Sequence, residues 1–323
     1  LPLTFASPIH TRLNVSSLER AILETLAYSD IFDHPLTLDE LHCYLVAPAS
    51  RDEINECVIS MKEIACKEGY YFLADHPEIV VIRKQREENS RKVFERAIFY
   101  GRILGRLPFI RMAALTGSLA VLNLSKNIDM DFMLVAKPGR VWIARAFAIV
   151  LGKIARLFGD TICPNIIVSE SALAWHLHDL YSARELTQMI PITGLEMYHR
   201  LRGANLWVEA FLPNAYPETS KIFKAPEVWR LGELPLRGRF GDKIESWEMN
   251  RKIARFSKQA GFGAETVFTA DVCQGNFHQH RIWTHREYQE RLSLLGFPLP
   301  SGEGRRRTDG STLAHRVEVV RAE

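Results

Sequence analysis

The chain has 323 residues, 47% hydrophobic and 24% charged, which is the composition of ordinary globular protein and a length suited to about two domains. Lys+Arg 41 against Asp+Glu 38 leaves +3, too balanced for a protein whose whole surface binds a polyanion. Five cysteines (43, 57, 66, 163 and 273) form no CxxC pair and cannot all pair internally, so they read as reduced thiols of a cytoplasmic protein.

The opening segment, LPLTFASPIHTRLN, holds no apolar run of signal-peptide length. Three helices are then predicted, each announced by a capping box: Ser16 to Glu19, Thr37 to Glu40 and Ser50 to Glu53. Leu18, Ile22 and Leu26 form the stripe of the first, and Ile54, Val58 and Met61 that of the third. Two β-rich runs follow, at 70–74 and 79–83, separated by Asp75, His76 and Pro77. Three helices and a hairpin in this order predict a winged-helix-like module over 1–83. Its third helix carries Arg51 and Lys62 against Asp52, Glu53, Glu56 and Glu63, a net negative surface that argues against duplex DNA as partner.

A connector helix is predicted over 84–107, its basic residues (Lys84, Arg86, Arg91, Lys92, Arg96) diluted by Glu87, Glu88 and Glu95. The pattern then changes to α/β over 108–175. Residues 110–118 end an apolar run in a Gly-Ser turn, and 129–135 and 163–169 read as strands buried on both faces. Between them, 141–158 is apolar enough to raise the question of a membrane span. Arg145, Lys153 and Arg156 would each cost about 2.5–3.5 kcal/mol near a bilayer centre, so the segment reads as a helix packed on a sheet. Residues 176–297 look mainly helical, with a short strand at 266–273, and the Gly-, Ser- and Arg-rich tail 298–323 reads as disordered. The expected fold class is α+β: a small mixed sheet flanked by helices, with the N-terminal module before it and a helical region after it.

One constellation carries chemistry. Leu115-Thr116-Gly117-Ser118 is followed, ten residues later, by Asp129-Met130-Asp131-Phe132. Carboxylates at i and i+2 of a strand project from one face, where like charges push one pKa upward. A hard divalent cation such as Mg²⁺, or Mn²⁺ in its place, relieves that repulsion and is typically shared between carboxylates and substrate phosphates. Gly117 lets backbone approach an anion closely, and the N–H groups of the helix that starts there, with the Ser118 hydroxyl, are donors for phosphate oxygens.

This arrangement resembles the signature of the DNA polymerase β-like nucleotidyltransferase superfamily, in which Gly-Ser precedes an Asp-x-Asp strand by about this interval. The motif spans residues 115–132, and a weaker likeness reaches about residue 214. The resemblance implies that Asp129 and Asp131 hold Mg²⁺, that Gly117 and Ser118 bind the phosphates of an NTP, and that an NMP moves to an acceptor with release of pyrophosphate. The acceptor, whether small molecule, protein or RNA, is not encoded in the motif. Lys126, Lys137 and Arg140 stand nearby in sequence as triphosphate contacts. Members of the superfamily place a third carboxylate on a later strand. Here that strand carries Asn165, which can coordinate a metal but cannot take a proton, and Glu170 substitutes only if the strand is shifted. Either the acceptor is activated otherwise, or the protein binds nucleotide with little transfer.

The pairs His176/His178 and His278/His280 lack further ligands at useful spacing and read as surface or hydrogen-bonded histidines. Trp207, Trp229, Trp247 and Trp283 read as packing anchors, and Cys163 as an unactivated thiol.

Overall fold

The structure is a computed structural model and describes residues 16–125, 129–215 and 228–297. All three capping boxes form. Ser16, Thr37 and Ser50 each accept the N–H of the Glu three residues on, whose carboxylate returns to the cap backbone. They open α1 (Ser17–Asp30), α2 (Leu38–Tyr44) and α3 (Arg51–Ser60), whose apolar stripes meet in one core around Ile22, Leu41 and Ile54.

The hairpin that follows is displaced from its predicted place. Its strands are β1 (Ile64–Lys67) and β2 (Tyr70–Leu73), joined at Glu68 and Gly69, both left-handed with φ 55 and 81. Two left-handed residues make the turn that matches the twist of a two-residue hairpin. Residues 79–83, expected as a strand, instead begin the 26-residue helix α4 (Ile79–Leu104). Their β-branched side chains mimic a strand, but Ile79, Val80 and Arg83 share one buried helical face that continues through Ser90, Val93 and Ala97. β1, with two exposed residues, carries too little apolar pattern to be legible.

After α4 the chain builds β3 (Ile110–Thr116), the single turn α5 (Gly117–Ala120), β4 (Asp129–Ala136), α6 (Val141–Arg156) and β5 (Thr161–Ser169). It continues through α7 (Leu180–Gln188), β6 (Ile190–Thr193), α8 (Leu195–Gly203), α9 (Arg239–Phe256), β7 (Thr266–Phe268), β8 (Val272–Gly275) and α10 (His280–Leu294). Six strands form one mixed sheet in the order β6-β3-β4-β5-β8-β7. Only β4 and β5 run parallel, with α6 as their crossover; the other pairs are antiparallel. The chain is thus a mixed α/β protein of ten α-helices among the described residues, with a six-stranded and a two-stranded sheet.

Alternation along β4 divides the core in two. Met130, Phe132, Leu134 and Ala136 face α4 and α6, while Met133 and Val135 face α7 and α8. Elements of the 176–297 region join the sheet and the N-terminal core. β6 pairs with β3 at one sheet edge, β8 with β5 at the other, and α10 puts Leu292 into the core of α1–α3. Arg291 of α10 and His76 both reach the buried carboxylate of Asp30, at 2.8 Å each. The tail 298–323 lies outside the described residues. No helix among those described is long and apolar enough to cross a membrane.

Candidate active site

The start of β4 decides the site. Asp129 and Asp131 occupy the first two positions of the face that Met133 and Val135 continue, so the carboxylates stand where the apolar layer ends. Asp129 is exposed and Asp131 partly buried. Across the ladder, Asp131 is in register with Thr116, the last residue of β3. The chain turns there at Gly117, with φ +67. A Cβ built on Gly117 would lie 2.7 Å from Asp131 Oδ2, so both the left-handed backbone and the space require glycine. Ser118 follows, exposed, in α5.

On the other side, Asp131 is in register with Cys163, Phe132 with Pro164 and Met133 with Ile166. The skipped residue is Asn165. This irregularity is a bulge in a parallel pair, and it brings the amide onto the acid pair. Asn165 Nδ2 donates to Asp131 Oδ1 at 2.6 Å, while Cys163 Sγ donates to Asn165 Oδ1 at 2.8 Å. The two oxygens of Asp131 are thereby divided, one on Asn165 and one toward Gly117.

Burial, and then the charge of Asp129, push the Asp131 carboxyl up to about 6, against the pull of the Asn165 hydrogen bond. Neither Asp129 nor Asp131 forms an ion pair among the described residues. Burial and the two aspartates push the Cys163 thiol up to about 12, which keeps it protonated and unsuited to nucleophilic attack. Two same-face carboxylates, one reluctant to ionise and neither neutralised by a described cation, fit a hard divalent ion. Among the described residues, no group of three or more His, Cys, Asp or Glu is placed to share a metal.

One carboxylate that bears on the pair has no sequence signal. Glu185 lies on α7, whose Ala183 and Leu186, with Met189 just after the helix, share a core with Met133 and Val135 of β4. Burial and the charge of Asp131 push Glu185 up to about 7. Periodicity finds α7 but not which sheet face it covers.

The remaining expected contacts lie elsewhere. Lys126 is outside the described residues. Lys137 and Arg140 follow the opposite end of β4, roughly 15 Å or more from Asp131 at about 3.3 Å per strand residue. Arg140 is buried there, bonded to the Leu236 and Gly238 carbonyls and paired with Asp242 at 2.8 Å. Glu170 is at that same far end, its N–H on the Ala136 carbonyl and its carboxylate 3.7 Å from Arg200. β5 is therefore not shifted in the way that would bring Glu170 to the site. His178 stacks on Trp207 at 4.5 Å, and the rings of His278 and His280 lie 5.8 Å apart. Trp247 is exposed rather than a core anchor, with Arg251 over its ring, and the Trp229 side chain is outside the described residues.

No family model matches the chain, and no curated protein and no solved structure matches it either.

Proposed function

We propose that the protein is a nucleotidyltransferase of the DNA polymerase β-like kind, moving an NMP from an NTP to an acceptor with release of pyrophosphate. The observation that carries this reading is the approach of Gly117 to Asp131. It sets a turn of free backbone against one carboxylate oxygen of a same-face acid pair. Asp129 and Asp131 would hold Mg²⁺ or Mn²⁺, which when bound neutralises the triphosphate and polarises the phosphorus under attack. Gly117 and Ser118 bind phosphate oxygens through N–H and hydroxyl donors. Asn165 fixes the Asp131 carboxylate and favours its ionised form. Positioning and charge stabilisation of this type account for most of the catalysis in phosphoryl chemistry.

The three helices and hairpin at the N-terminus we read as a winged-helix-like module. The exposed side chains of α3 include Asp52, Glu53 and Glu56 beside Arg51, which disfavours a phosphate backbone and leaves docking within the chain or to a protein as its role.

A second reading has its own support. Asn165 occupies the place of a proton-accepting carboxylate, as in a regulatory protein that binds nucleotide without transferring it. Titration calorimetry with non-hydrolysable analogues of the four NTPs, with and without Mg²⁺, tests both. Metal-dependent binding that disappears in Asp129→Asn/Asp131→Asn is expected. Absence of binding by all four would sink the nucleotide site. Binding without pyrophosphate release would select the regulatory reading.

A further inference from the structure

The crossover helix α6 buries one side on the sheet, through Trp142, Ala144, Ala148, Gly152 and Ala155. On its outer side Val150, Ile154 and Leu157 recur at i, i+4 and i+7, and Phe158 completes the last turn. All four are exposed, Leu157 at 82% and Phe158 at 74%. Single exposed apolar side chains are ordinary on a protein surface, whereas a stripe along one helix face marks a contact.

The end of this helix is held in place. Gly159, with φ +82, closes it: its N–H donates to the Arg156 carbonyl and the Asp160 N–H to the Ala155 carbonyl, each at 3.1 Å, the pattern of a Schellman turn. Asp160, buried, then accepts from Tyr100 Oη at 3.0 Å and pairs with Arg96 at 3.3 Å. Leu157 and Phe158 are thus presented by a fixed turn at the helix tip. Thr161, three residues past Phe158, is in register with Asp129, so the tip stands at the acid end of the sheet. The helix itself covers the opposite sheet face from the acid pair.

Charge around the stripe has one sign. No Asp or Glu occurs from Phe132 to Gly159. Lys153 and Arg156 are exposed beside the stripe and form no ion pair among the described residues. The acids of α9, which packs on α6, are engaged: Asp242 by Arg140, Glu245 by the first N–H groups of α6, and Glu248 by Arg251. A partner for this face therefore combines apolar and anionic chemistry. A second copy brings the same positive rim, and the tail 298–323 carries Arg305, Arg306 and Arg307, again of like sign. A bilayer with anionic headgroups offers both, acyl chains for the tip and phosphates for the cations.

We propose that this face of α6 docks on an anionic membrane surface. Leu157 and Phe158 enter the boundary between headgroups and acyl chains, and Lys153 and Arg156 meet lipid phosphates. The helix lies on the bilayer and does not cross it, since its other side belongs to the core. Docking is independent of the nucleotide reading.

The test is co-sedimentation of the intact chain with vesicles of phosphatidylcholine alone and of equal parts phosphatidylcholine and phosphatidylglycerol. Binding to the anionic vesicles only, weakened by added salt, is expected. Lys153→Gln/Arg156→Gln should weaken it about tenfold, and Leu157→Asp/Phe158→Asp at least as much, with thermal midpoints unchanged because these side chains are exposed. Phe158→Trp gives a readout free of folding effects, since its added fluorescence should be quenched by brominated acyl chains. Wild type that ignores anionic vesicles, binding that both double variants retain, or no quenching in Phe158→Trp overturns the proposal. Self-association or single-stranded RNA binding that is lost in Leu157→Asp/Phe158→Asp, in place of vesicle binding, assigns the face to a second copy or to nucleic acid and overturns it too. Failure to bind nucleotide in calorimetry removes the nucleotide site and leaves the vesicle result standing.

Discussion

The two ends of the central sheet differ in how far the fold itself satisfies negative charge. At the far end, Glu233 is buried and accepts the Phe109 N–H at 2.9 Å and Arg111 at 2.8 Å, with Arg237 at 3.1 Å. Those donors hold its carboxyl down at about 2 against the upward push of burial. Nearby, Glu245 caps the start of α6 by accepting the Trp142 and Ile143 N–H groups, each at 2.8 Å, donors that oppose but do not cancel the upward push of burial on its carboxyl. At the Asp129 end, burial of Asp131 is opposed by one amide and by no cation among the described residues, and its carboxyl rises. Structural carboxylates are satisfied by the fold itself. Carboxylates left unsatisfied store repulsion that a ligand can relieve, which is how charged sites are usually recognised.

That contrast can be broken or sharpened by substitution. The largest effect is expected from Glu245→Ala, which strands two buried N–H groups and should destabilise the protein by about 2–4 kcal/mol in urea unfolding. Glu233→Gln should cost about 2 kcal/mol at pH 7. Its folded pKa is depressed, so the wild-type advantage is present above the unfolded carboxyl range. It should be lost as pH falls from about 4.5 toward about 2, and an unfolding series over that interval checks this.

Asp131→Asn should have the opposite sign. The wild-type folded pKa is raised, so its stability contribution is present below about pH 4 and lost as pH rises through about 6. The neutral variant escapes that loss. It should gain about 1–2 kcal/mol at pH 7.5 in the presence of a chelator, with no gain at pH 4, as read by thermal unfolding. Equal stabilities at both pH values would show that Asp131 carries no stored repulsion. Gly117→Ala combines a left-handed backbone with a Cβ against Asp131 Oδ2, for a loss of about 1 kcal/mol and at least tenfold in Mg²⁺-dependent nucleotide affinity. The smallest effect on stability is expected from Asn165→Asp. A third negative charge beside Asp131 should cost about 1 kcal/mol in chelator and be compensated by millimolar Mg²⁺ in a thermal-shift titration.

Much of the framework is legible in residues close together in the chain. The capping boxes at Ser16, Thr37 and Ser50 act over three residues, and each starts its helix where expected. The strand at 129 and the Gly-Ser turn before it follow from a near-continuous apolar run and from glycine's backbone freedom, whereas the close approach of Gly117 to Asp131 is seen only in the register of β3 and β4. The misplaced hairpin shows the limit. Ile79-Val80-Val81-Ile82 has strand propensity, and only contacts with the rest of the molecule make it a helix. Lys137, Arg140 and Glu170 show another, since proximity in sequence along an extended strand is distance in space.

The sequence by itself therefore determined where the three capped helices start and that Asp129 and Asp131 share one face of their strand. These depend on geometry within a few residues. Tertiary structure alone decided that a bulge in β5 lays Asn165 on Asp131, and that α7 covers the sheet face that bears the acid pair. It also decided that Arg140 goes to a buried pair elsewhere. A strand's register and a helix's setting over a sheet are fixed by packing among residues tens of positions apart, and no local pattern records that choice.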